Sequence, residues 1–258
     1  MVRSGTAAVT NPLDLYALEA ALQLRELWDA AVVAITMGPP PAEAVLREAL
    51  SLGCDDGVLL SDRLFGGADT WATSRTLAAA VAVLEAEDGR FDLIIAGERA
   101  TDGDTGQVGP ALAAWLDRPL ASYVAHVHRD EGAPVSNKAS DRNTALTVQR
   151  LIEDGYQILR LPLPAVMTVV KEIASPRLPT LEHKKRSRHA RIRRLGAQDL
   201  GIPEDDLGLR GSPTRVVRIT TPTVTRRGET VACRSDQDYA AAAVRIVDFL
   251  EEQGGLVP

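Results

Sequence analysis

Two mostly apolar runs, residues 31–37 and 91–96, constrain the fold of this chain most strongly. Runs of this kind are typical of strands buried on both faces of a parallel sheet. The segments between and before them have apolar residues at helical spacing, which predicts helices at residues 11–24, 42–52 and 70–87. A short strand is predicted at 58–60. Alternating strands and helices with short connections predict an α/β fold with a doubly wound, mostly parallel sheet.

The pattern changes after a helix predicted at 107–116. Three strands joined by polar turns are predicted at 123–128, 145–151 and 156–161. Asp154-Gly155, between the last two, is a strong hairpin signal. They predict a small antiparallel hairpin extension. The remaining segments are an apolar strand at 165–170, an irregular Pro-, Lys- and Arg-rich stretch at 176–194, a strand at 215–219 and a helix at 236–253, which we interpret as a C-terminal arm.

Composition excludes several classes of protein. Of the 258 residues, 45% are hydrophobic but only 4% aromatic, so the core must consist mostly of Ala, Val and Leu. The net charge of −6 argues against general nucleic-acid binding, which usually needs a basic surface. Cys54 and Cys233 match no metal spacing and suit a reducing compartment. Without an apolar signal core or a run of roughly 18 apolar residues, we expect a cytoplasmic protein with no membrane span.

The segment from Gly97 to Pro110 carries the densest chemical signal. It follows a predicted buried strand and leads into a helix, the sheet edge at which open α/β proteins bind ligands. Its glycines allow close backbone approach, and the helix start favours a phosphate. Thr105 and Gln107 offer hydrogen bonds, whereas Asp102 and Asp104 suit turns or ribose hydroxyls. The spacing matches neither a P-loop nor the dinucleotide glycine fingerprint. The alternative to a nucleotide-binding loop is a Gly/Asp-rich turn with a simple helix cap.

Several motifs together resemble the β subunit of electron transfer flavoprotein. They are Asn11-Pro12-Leu13-Asp14, Thr36-Met37-Gly38-Pro39 with the helix after it, the loop at 97–110, and the proline-containing segments 164–166 and 176–181. The resemblance runs from about Asn11 to the end of the chain and implies a Rossmann-like adenine-nucleotide-binding fold.

The resemblance implies a heterodimer with an FAD-carrying α subunit. The β subunit of this family holds either AMP or a second FAD, and in the bifurcating subgroup NADH reduces that second flavin. Residues 102–110 and 208–214 look more like the bifurcating version. The implied function is to carry electrons between NADH or a flavin dehydrogenase and a quinone- or ferredoxin-type acceptor, with bifurcation only in the presence of the α subunit. The alternatives are a non-bifurcating subunit with structural AMP, or an adenine-nucleotide-binding module without redox function.

The family's nucleotide contacts map onto three stretches of this chain. Asn11 and Asp14 have a second interpretation, since Asn-Pro-x-x at a helix start is also typical of simple capping. Leu13 departs from the Phe found in many relatives. The expected cofactor-binding residues are Asn11, Pro12, Leu13, Asp14, Met37, Gly97, Ala100, Asp102, Gly103, Asp104, Thr105, Gly106, Gln107 and Val108.

A second departure concerns the first strand of the family fold. Relatives begin with an additional strand and loop ahead of the segment that matches residues 2–11. The sequence shows no counterpart, which indicates either a misplaced start or a natural short form. We expect neighbouring backbone groups to lose their ladder partners. The domain organisation implied is a nucleotide-binding domain at 1–175 and a recognition loop with a C-terminal arm that packs on the partner subunit at 176–258.

A concentrated basic stretch occupies residues 184–194 of this acidic chain. By itself such a run is usually a solvated face. The resemblance instead places Leu181, Lys184 and Lys185 in a loop that docks an acyl-CoA dehydrogenase-like or quinone-reducing partner. Glu182-His183 departs from the commoner form of this loop.

The other candidate groups predict little chemistry. His126 and His128 alternate on a predicted strand, but no third ligand is near in sequence, so we expect no metal site. The tryptophans are interpreted as core or interface residues, and no arrangement suited to hydrolysis is present.

Overall fold

The computed structural model describes residues 8–128, 145–218, 220 and 230–252. The chain divides into two compact units, Met1–Arg215 and Val216–Pro258. No helix within the described ranges is long and apolar enough to cross a lipid bilayer.

The described residues form six α-helices and eight β-strands. The helices are α1 (Pro12–Trp28), α2 (Glu43–Leu52), α3 (Thr70–Asp88), α4 (Val108–Trp115), α5 (Leu181–His189) and α6 (Asp236–Glu252). The strands are β1 (Val33–Met37), β2 (Asp56–Leu60), β3 (Leu93–Gly97), β4 (Leu120–His128), β5 (Ala145–Ile152), β6 (Gly155–Pro162), β7 (Ala165–Val169) and β8 (Arg193–Leu195).

The strands pair in two sheets. One has the order β1-β2-β8 and is parallel throughout, with Ile35 opposite Val58. The other has the order β3-β7-β4-β5-β6, in which β3, β7 and β4 are parallel and β4, β5 and β6 are antiparallel. The structure confirms the predicted doubly wound, mostly parallel α/β fold and its antiparallel hairpin extension.

Strands β1 and β3 are less buried than their apolar sequences predicted. Within the described residues, β1 pairs only with β2, and β3 only with β7. Each strand therefore has one unpaired edge. All five residues of β1 and four of the five in β3 are half-buried, whereas all five residues of β7 are buried. Helix α1 covers both strands: Ala17 packs with the cluster containing Leu93 and Ile95, and Leu15 packs with the one containing Val32 and Ala34.

The interpretation of residues 176–194 as irregular is wrong. Thr180 caps α5 by accepting a hydrogen bond from the backbone N–H of His183 at 3.1 Å, and β8 pairs in parallel with β2. Basic residues in the last turn of α5 complement the helix dipole. The sequence pattern missed this helix because it has almost no apolar face, and Ser187 is its one buried residue.

The strand predicted at 215–219 is also not found: residues 215–218 form no strand, and Ile219 lies outside the described residues. In the second unit, a reciprocal capping box begins α6, in which Ser235 Oγ accepts from the N–H of Asp238 at 3.3 Å and the Asp238 carboxylate accepts from the N–H of Ser235 at 3.0 Å. None of the described residues of α6 is buried.

The core of the first unit consists mainly of Ala, Val and Leu, as the composition predicted. Cys54 belongs to it and is fully buried, and burial raises the pKa of this thiol to about 12. Cys54 therefore remains an unreactive thiol, because reactivity requires the thiolate.

Candidate functional site

Asn11, at the start of α1, binds the loop that follows β3. Its Nδ2 donates to the carbonyl of Arg99 at 2.9 Å and to Asp14 Oδ2 at 3.0 Å, and its Oδ1 accepts from the N–H of Thr101 at 3.3 Å. Asn11 occupies the N-cap position but makes no side-chain cap hydrogen bond. The capping interpretation of this side chain is therefore wrong, because the amide is already used to hold the loop.

Asp14 and Gly97 fix the start of α1 against the end of β3. The backbone N–H of Gly97 donates to Asp14 Oδ1 at 2.8 Å. A Cβ atom at Gly97 would lie 2.5 Å from Asp14 Oδ1 and 2.8 Å from the backbone of Leu13. Only glycine allows this approach, so Leu13 and Asp14 pack directly on the strand end.

The middle of the loop is a tight turn. The N–H of Asp104 donates to the carbonyl of Ala100 at 2.8 Å, and the N–H of Gly103 donates to Asp102 Oδ1 at 2.8 Å. Asp104 has a φ of 50°, and its carboxylate lies 3.1 Å from Arg99 Nε. Asp102 thus stabilises the turn, one of the two roles expected of it.

The last part of the loop leads into α4. Gly106 has a φ of 62°, which glycine adopts without strain. The N–H of Gln107 lies 3.5 Å from Thr105 Oγ1, and Gln107 Oε1 accepts from Thr70 Oγ1 at 2.8 Å. Helix α4 then begins at Val108, and its first N–H groups have no intrahelical acceptor.

Met37, another expected site residue, takes no part in this hydrogen-bonded cluster. It ends β1 in the three-stranded sheet and packs, partly buried, with Val33 and Ile35 against the core beneath α3. Its place at the end of a parallel strand agrees with a site at this edge.

The docking residues expected from the sequence lie on the first turns of α5. Leu181 is 87% exposed, and Lys184 and Lys185 are also exposed. Leu178, which the sequence analysis did not single out, is equally exposed at 87%. Two large apolar side chains are thus presented to solvent three residues apart.

Arg177 holds this segment against the middle of α1. Its Nε donates to Glu19 Oε2 at 2.8 Å, its Nη2 to Glu19 Oε1 at 3.0 Å, and its Nη1 to Glu26 Oε1 at 2.5 Å. Glu19 is only 5% exposed. Burial raises the pKa of Glu19, but the hydrogen bonds from Arg177 and Gln23 outweigh it, so the pKa lies below the ordinary value.

Several arginines of the basic stretch are committed to internal contacts. Arg186 Nη2 donates to the carbonyl of Cys54 at 2.7 Å, Arg193 pairs with Glu87 at 2.5 Å, and Arg194 pairs with Glu43 at 2.5 Å. These residues attach α5 and β8 to α2, to α3 and to the connection that follows α2, so the stretch is not simply a solvated face.

Comparison with known proteins shows the family to which this chain belongs. The family model described as the electron transfer flavoprotein domain matches residues 1–200. The chain is 39% identical over 230 residues to the electron transfer flavoprotein subunit beta of Thermoanaerobacterium thermosaccharolyticum, which covers 89% of this chain and 82% of that protein. The chain belongs to the electron transfer flavoprotein beta-subunit family.

Two further relatives extend the comparison. The subunit beta of Clostridium acetobutylicum is 37% identical over 253 residues, covering 98% of this chain and 90% of that protein. The caffeyl-CoA reductase-Etf complex subunit CarD of Acetobacterium woodii is 38% identical over 245 residues, covering 95% of this chain and 87% of that protein. The resemblance found in the sequence is thereby confirmed at the level of the family and its electron transfer role.

The end of the loop is suited to an anionic group such as a phosphate. Within the described residues, the N–H groups of Thr105, Gly106, Val108 and Gly109 have no protein acceptor. They lie at the positive end of α4, an arrangement that favours anions. Arg99 is already paired with Glu98 and Asp104. Backbone amides, not a free cation, are therefore the groups suited to an anion here.

Tyr123 is a site residue that the sequence analysis did not identify. It lies at the bulge of β4 with a φ of 57°, and its N–H donates to Thr168 Oγ1 at 3.1 Å. Its hydroxyl is 3.7 Å from the Cβ position of Gly106. A strand pattern carries no signal of a bulge, which is why the phenol could not be placed beside the loop.

His126 and His128 do not form part of this site. Their rings meet edge to face with centroids 4.7 Å apart on β4. The described part of the chain gathers no group of three His, Cys, Asp or Glu side chains suited to a metal ion.

Proposed function

We propose that this chain is the β subunit of a heterodimeric electron transfer flavoprotein and that its loop at 97–108 holds the adenosine and phosphate part of FAD. One observation carries the proposal. The side chains of Asn11 and Asp14 fix the loop through its backbone, and this leaves four amides at its end and at the start of α4 without protein acceptors. A preformed loop with free N–H groups is suited to an anion that the protein itself does not supply.

Each expected site residue has a role in this proposal. Leu13, Asp14 and Gly97 form the rigid wall where α1 meets β3, Pro12 begins that helix, and Met37 lies at the end of β1 in the other sheet. The turn formed by Ala100, Asp102 and Gly103 holds Asp104, whose exposed carboxylate pairs with Arg99 and has oxygens that accept from ribose hydroxyls. The N–H groups of Thr105, Gly106 and Val108 bind the phosphate, and Gln107 holds the loop end to α3. When bound, FAD supplies hydride and single-electron transfer, and this chain supplies its position and electrostatic surroundings.

A second FAD, as in the bifurcating subgroup, is favoured over AMP. The residues at 102–110 and 208–214 support this subgroup, and one relative is named as a subunit of a caffeyl-CoA reductase-Etf complex. In this version NADH reduces the flavin in the β subunit, and a quinone- or ferredoxin-type acceptor receives electrons through the complex. Structural AMP is the second candidate, because the free amides at the end of the loop suit the phosphate of a mononucleotide as well.

The partner surfaces are proposed on different parts of the chain. Residues 1–175 bind the nucleotide, and residues 176–258 provide the docking segment and an arm that packs on the α subunit. Exposed apolar side chains on α6 support the arm, among them Ile246, Val247 and Phe249. Leu178 and Leu181, beside Lys184 and Lys185, support docking of an acyl-CoA dehydrogenase-like or quinone-reducing partner, with positive charge steering the encounter.

Co-expression with the α subunit, followed by counting FAD and AMP released per heterodimer, tests the proposal. Two FAD per heterodimer is the expected result. One FAD with one AMP would support the structural-AMP candidate instead. A heterodimer without any adenine nucleotide in the β subunit, or no stable heterodimer, would contradict both and leave only a module without a redox role.

A further inference from the structure

The last part of the first unit is a segment at 206–214, which we call the clamp. The chain continues from it into the second unit. The turn inside the clamp is closely packed, because a Cβ atom at Gly208 would collide with the carbonyl oxygen of Leu64. A Cβ atom at Gly211 would collide with the backbone of Asp206. The clamp is therefore a tightly built part of the first unit and not a loose linker.

Two side chains of the clamp hold the N-cap residue of α3. The N–H of Asp69 donates to Ser212 Oγ at 2.8 Å, and Ser212 Oγ donates to the carbonyl of Gly208 at 2.7 Å. Asp69 Oδ2 accepts from the N–H and the hydroxyl of Thr214 at 3.0 and 2.8 Å, while its Oδ1 accepts from the N–H of Ala72 at 3.1 Å. One carboxylate therefore caps the helix and also binds the clamp.

Thr70, the residue after this N-cap, connects α3 to the nucleotide loop. Its Oγ1 donates to Gln107 Oε1 at 2.8 Å, and Gln107 is the N-cap residue of α4. The N–H groups of Val108 and Gly109, which follow Gln107, are among the amides without an acceptor in the described residues. A chain of hydrogen bonds and adjacent residues therefore runs from Thr214 to the start of α4, where the free amides lie.

A second set of contacts connects the clamp to the other end of α4. Arg75, on α3, pairs with Asp206 at 2.7 Å. The same guanidinium lies 5.2 Å from the ring centroid of Trp115, the last residue of α4. A cation over an indole ring is attracted to it. Both ends of α4 are therefore connected to the clamp through α3.

We propose that the clamp couples two binding events, so that adenine nucleotide at the loop and the α subunit on the second unit each strengthen the binding of the other. The inference rests on the proposed function and adds a link between its two sites. Thr214 is exposed, so its hydrogen bonds to Asp69 open and close in competition with water. Fixing the second unit on the α subunit restrains the chain beyond Thr214 and favours the closed state. In that state Thr70 stays on Gln107, and the amides of α4 keep the orientation that a phosphate needs. Hydrogen-bond networks between rigid helices are suited to carry coupling of this kind.

The dissociation constant of the heterodimer, measured by sedimentation with and without saturating AMP, tests the inference. We expect AMP to tighten the unchanged heterodimer about fivefold. Thr214→Val and Thr70→Val each remove one hydroxyl from the network, and each should bring the ratio to within about twofold of one. Thr70→Ser keeps the hydroxyl and should retain the ratio. Thr76→Val is the matched control, because the Thr76 hydroxyl donates to the carbonyl of Ala72 within α3 and takes no part in the network.

The results that would overturn the coupling differ from those that would overturn the proposed function. A ratio near one in the unchanged protein, with AMP bound, would overturn the inference and leave the proposed function intact. A ratio that persists in both Thr214→Val and Thr70→Val would do the same, because the coupling would then not depend on the clamp. Failure of the unchanged chain to form a heterodimer, or of that heterodimer to bind AMP or FAD, would overturn the proposed function and the inference with it.

Discussion

Helix α1 supports two regions that are built in opposite ways. Its first turn holds the loop at 97–101 through Asn11 and Asp14, whose partners on the loop are backbone groups. Its middle holds the docking segment through the ion pair of the buried Glu19 with the partly exposed Arg177. The loop is fixed by few contacts and retains free amides, whereas the Arg177 guanidinium uses all three of its nitrogens on carboxylates. The loop is thus a prepared region, with donors left for a ligand. The docking segment is a completed region, since the polar groups that hold it are paired within the chain.

The largest expected effect is on the completed region. Arg177→Ala removes the guanidinium from the buried Glu19 carboxylate and leaves it only Gln23 and the backbone N–H of residue 177 as donors. Breaking a buried ion pair costs up to about 3 kcal/mol of unfolding free energy. Chemical denaturation of the heterodimer, followed by circular dichroism, measures it. Glu26→Gln is the matched control, because Glu26 is 58% exposed and its pair with Arg177 contributes under about 1 kcal/mol. Equal effects of the two changes would show that Glu19 is not the residue that holds the segment.

The next effect concerns the close approach in the prepared region. Gly97→Ala introduces a Cβ 2.5 Å from Asp14 Oδ1, and overpacking of this kind costs about 1–3 kcal/mol. We expect the fraction of heterodimers that retain nucleotide to fall, as measured by chromatography of the released nucleotide. Gly103→Ala is the control, since its Cβ would meet no atom closer than 4.0 Å. If the Gly97→Ala protein retained its full nucleotide content, the close packing of α1 on the end of β3 would not be needed for nucleotide binding.

A smaller effect is expected from the amide that holds the loop. Asn11→Ala removes hydrogen bonds worth about 1 kcal/mol in total for this exposed site, which corresponds to roughly fivefold weaker AMP binding by calorimetry. Asn11→Asp keeps the acceptor for Thr101 but loses the donor to Arg99, so it should show an intermediate affinity. If Asn11→Ala binds AMP normally, these hydrogen bonds do not organise the site.

The pH dependence of stability tests the role of Glu19 in the completed region. Its folded-state pKa lies below the ordinary value of 4.5, so its stabilising contribution is fully present above about pH 4.5 and is lost as pH falls through the folded-state pKa. Unfolding free energy measured from pH 6 to pH 3 should therefore fall less steeply in Glu19→Gln than in the unchanged protein. Parallel curves would mean that Arg177 does not stabilise the charged form of Glu19.

The smallest effect on the fold is expected at the exposed lysines. Lys184→Ala with Lys185→Ala should leave stability unchanged and reduce the rate of association with an acidic partner dehydrogenase, chiefly at low salt. Stopped-flow electron transfer across a salt series measures this rate. A rate that is independent of both lysines at every salt concentration would remove them from the docking surface.

The sequence predicted the parts of the fold that depend on repeated patterns. The apolar runs at β1 and β3 and the spacing of α1, α2 and α3 placed these elements within a few residues of their observed bounds. Helix α5 was missed because its residues are nearly all polar, and tertiary contacts such as Arg47 Nη1 to the carbonyl of Ser187 at 2.6 Å attach it to α2.

The site was predicted less completely than the fold. Its loop could be located from glycine spacing and from the resemblance, but the partners of Asn11 lie about 90 residues away in sequence. Trp71 was interpreted as a core or interface residue, although it is half exposed beside the loop. Tyr123 depends on a bulge, for which sequence periodicity gives no sign.

Hydrogen exchange at the loop amides tests the central claim most directly. The heterodimer is compared before and after removal of its adenine nucleotide, and exchange is read at single residues for Thr105, Gly106, Val108 and Gly109. We expect these four amides to be protected when nucleotide is present and to exchange faster when it is removed, with little change in β5 and β6. Unchanged exchange at all four amides, with nucleotide demonstrably bound, would contradict the assignment of the loop as the phosphate site.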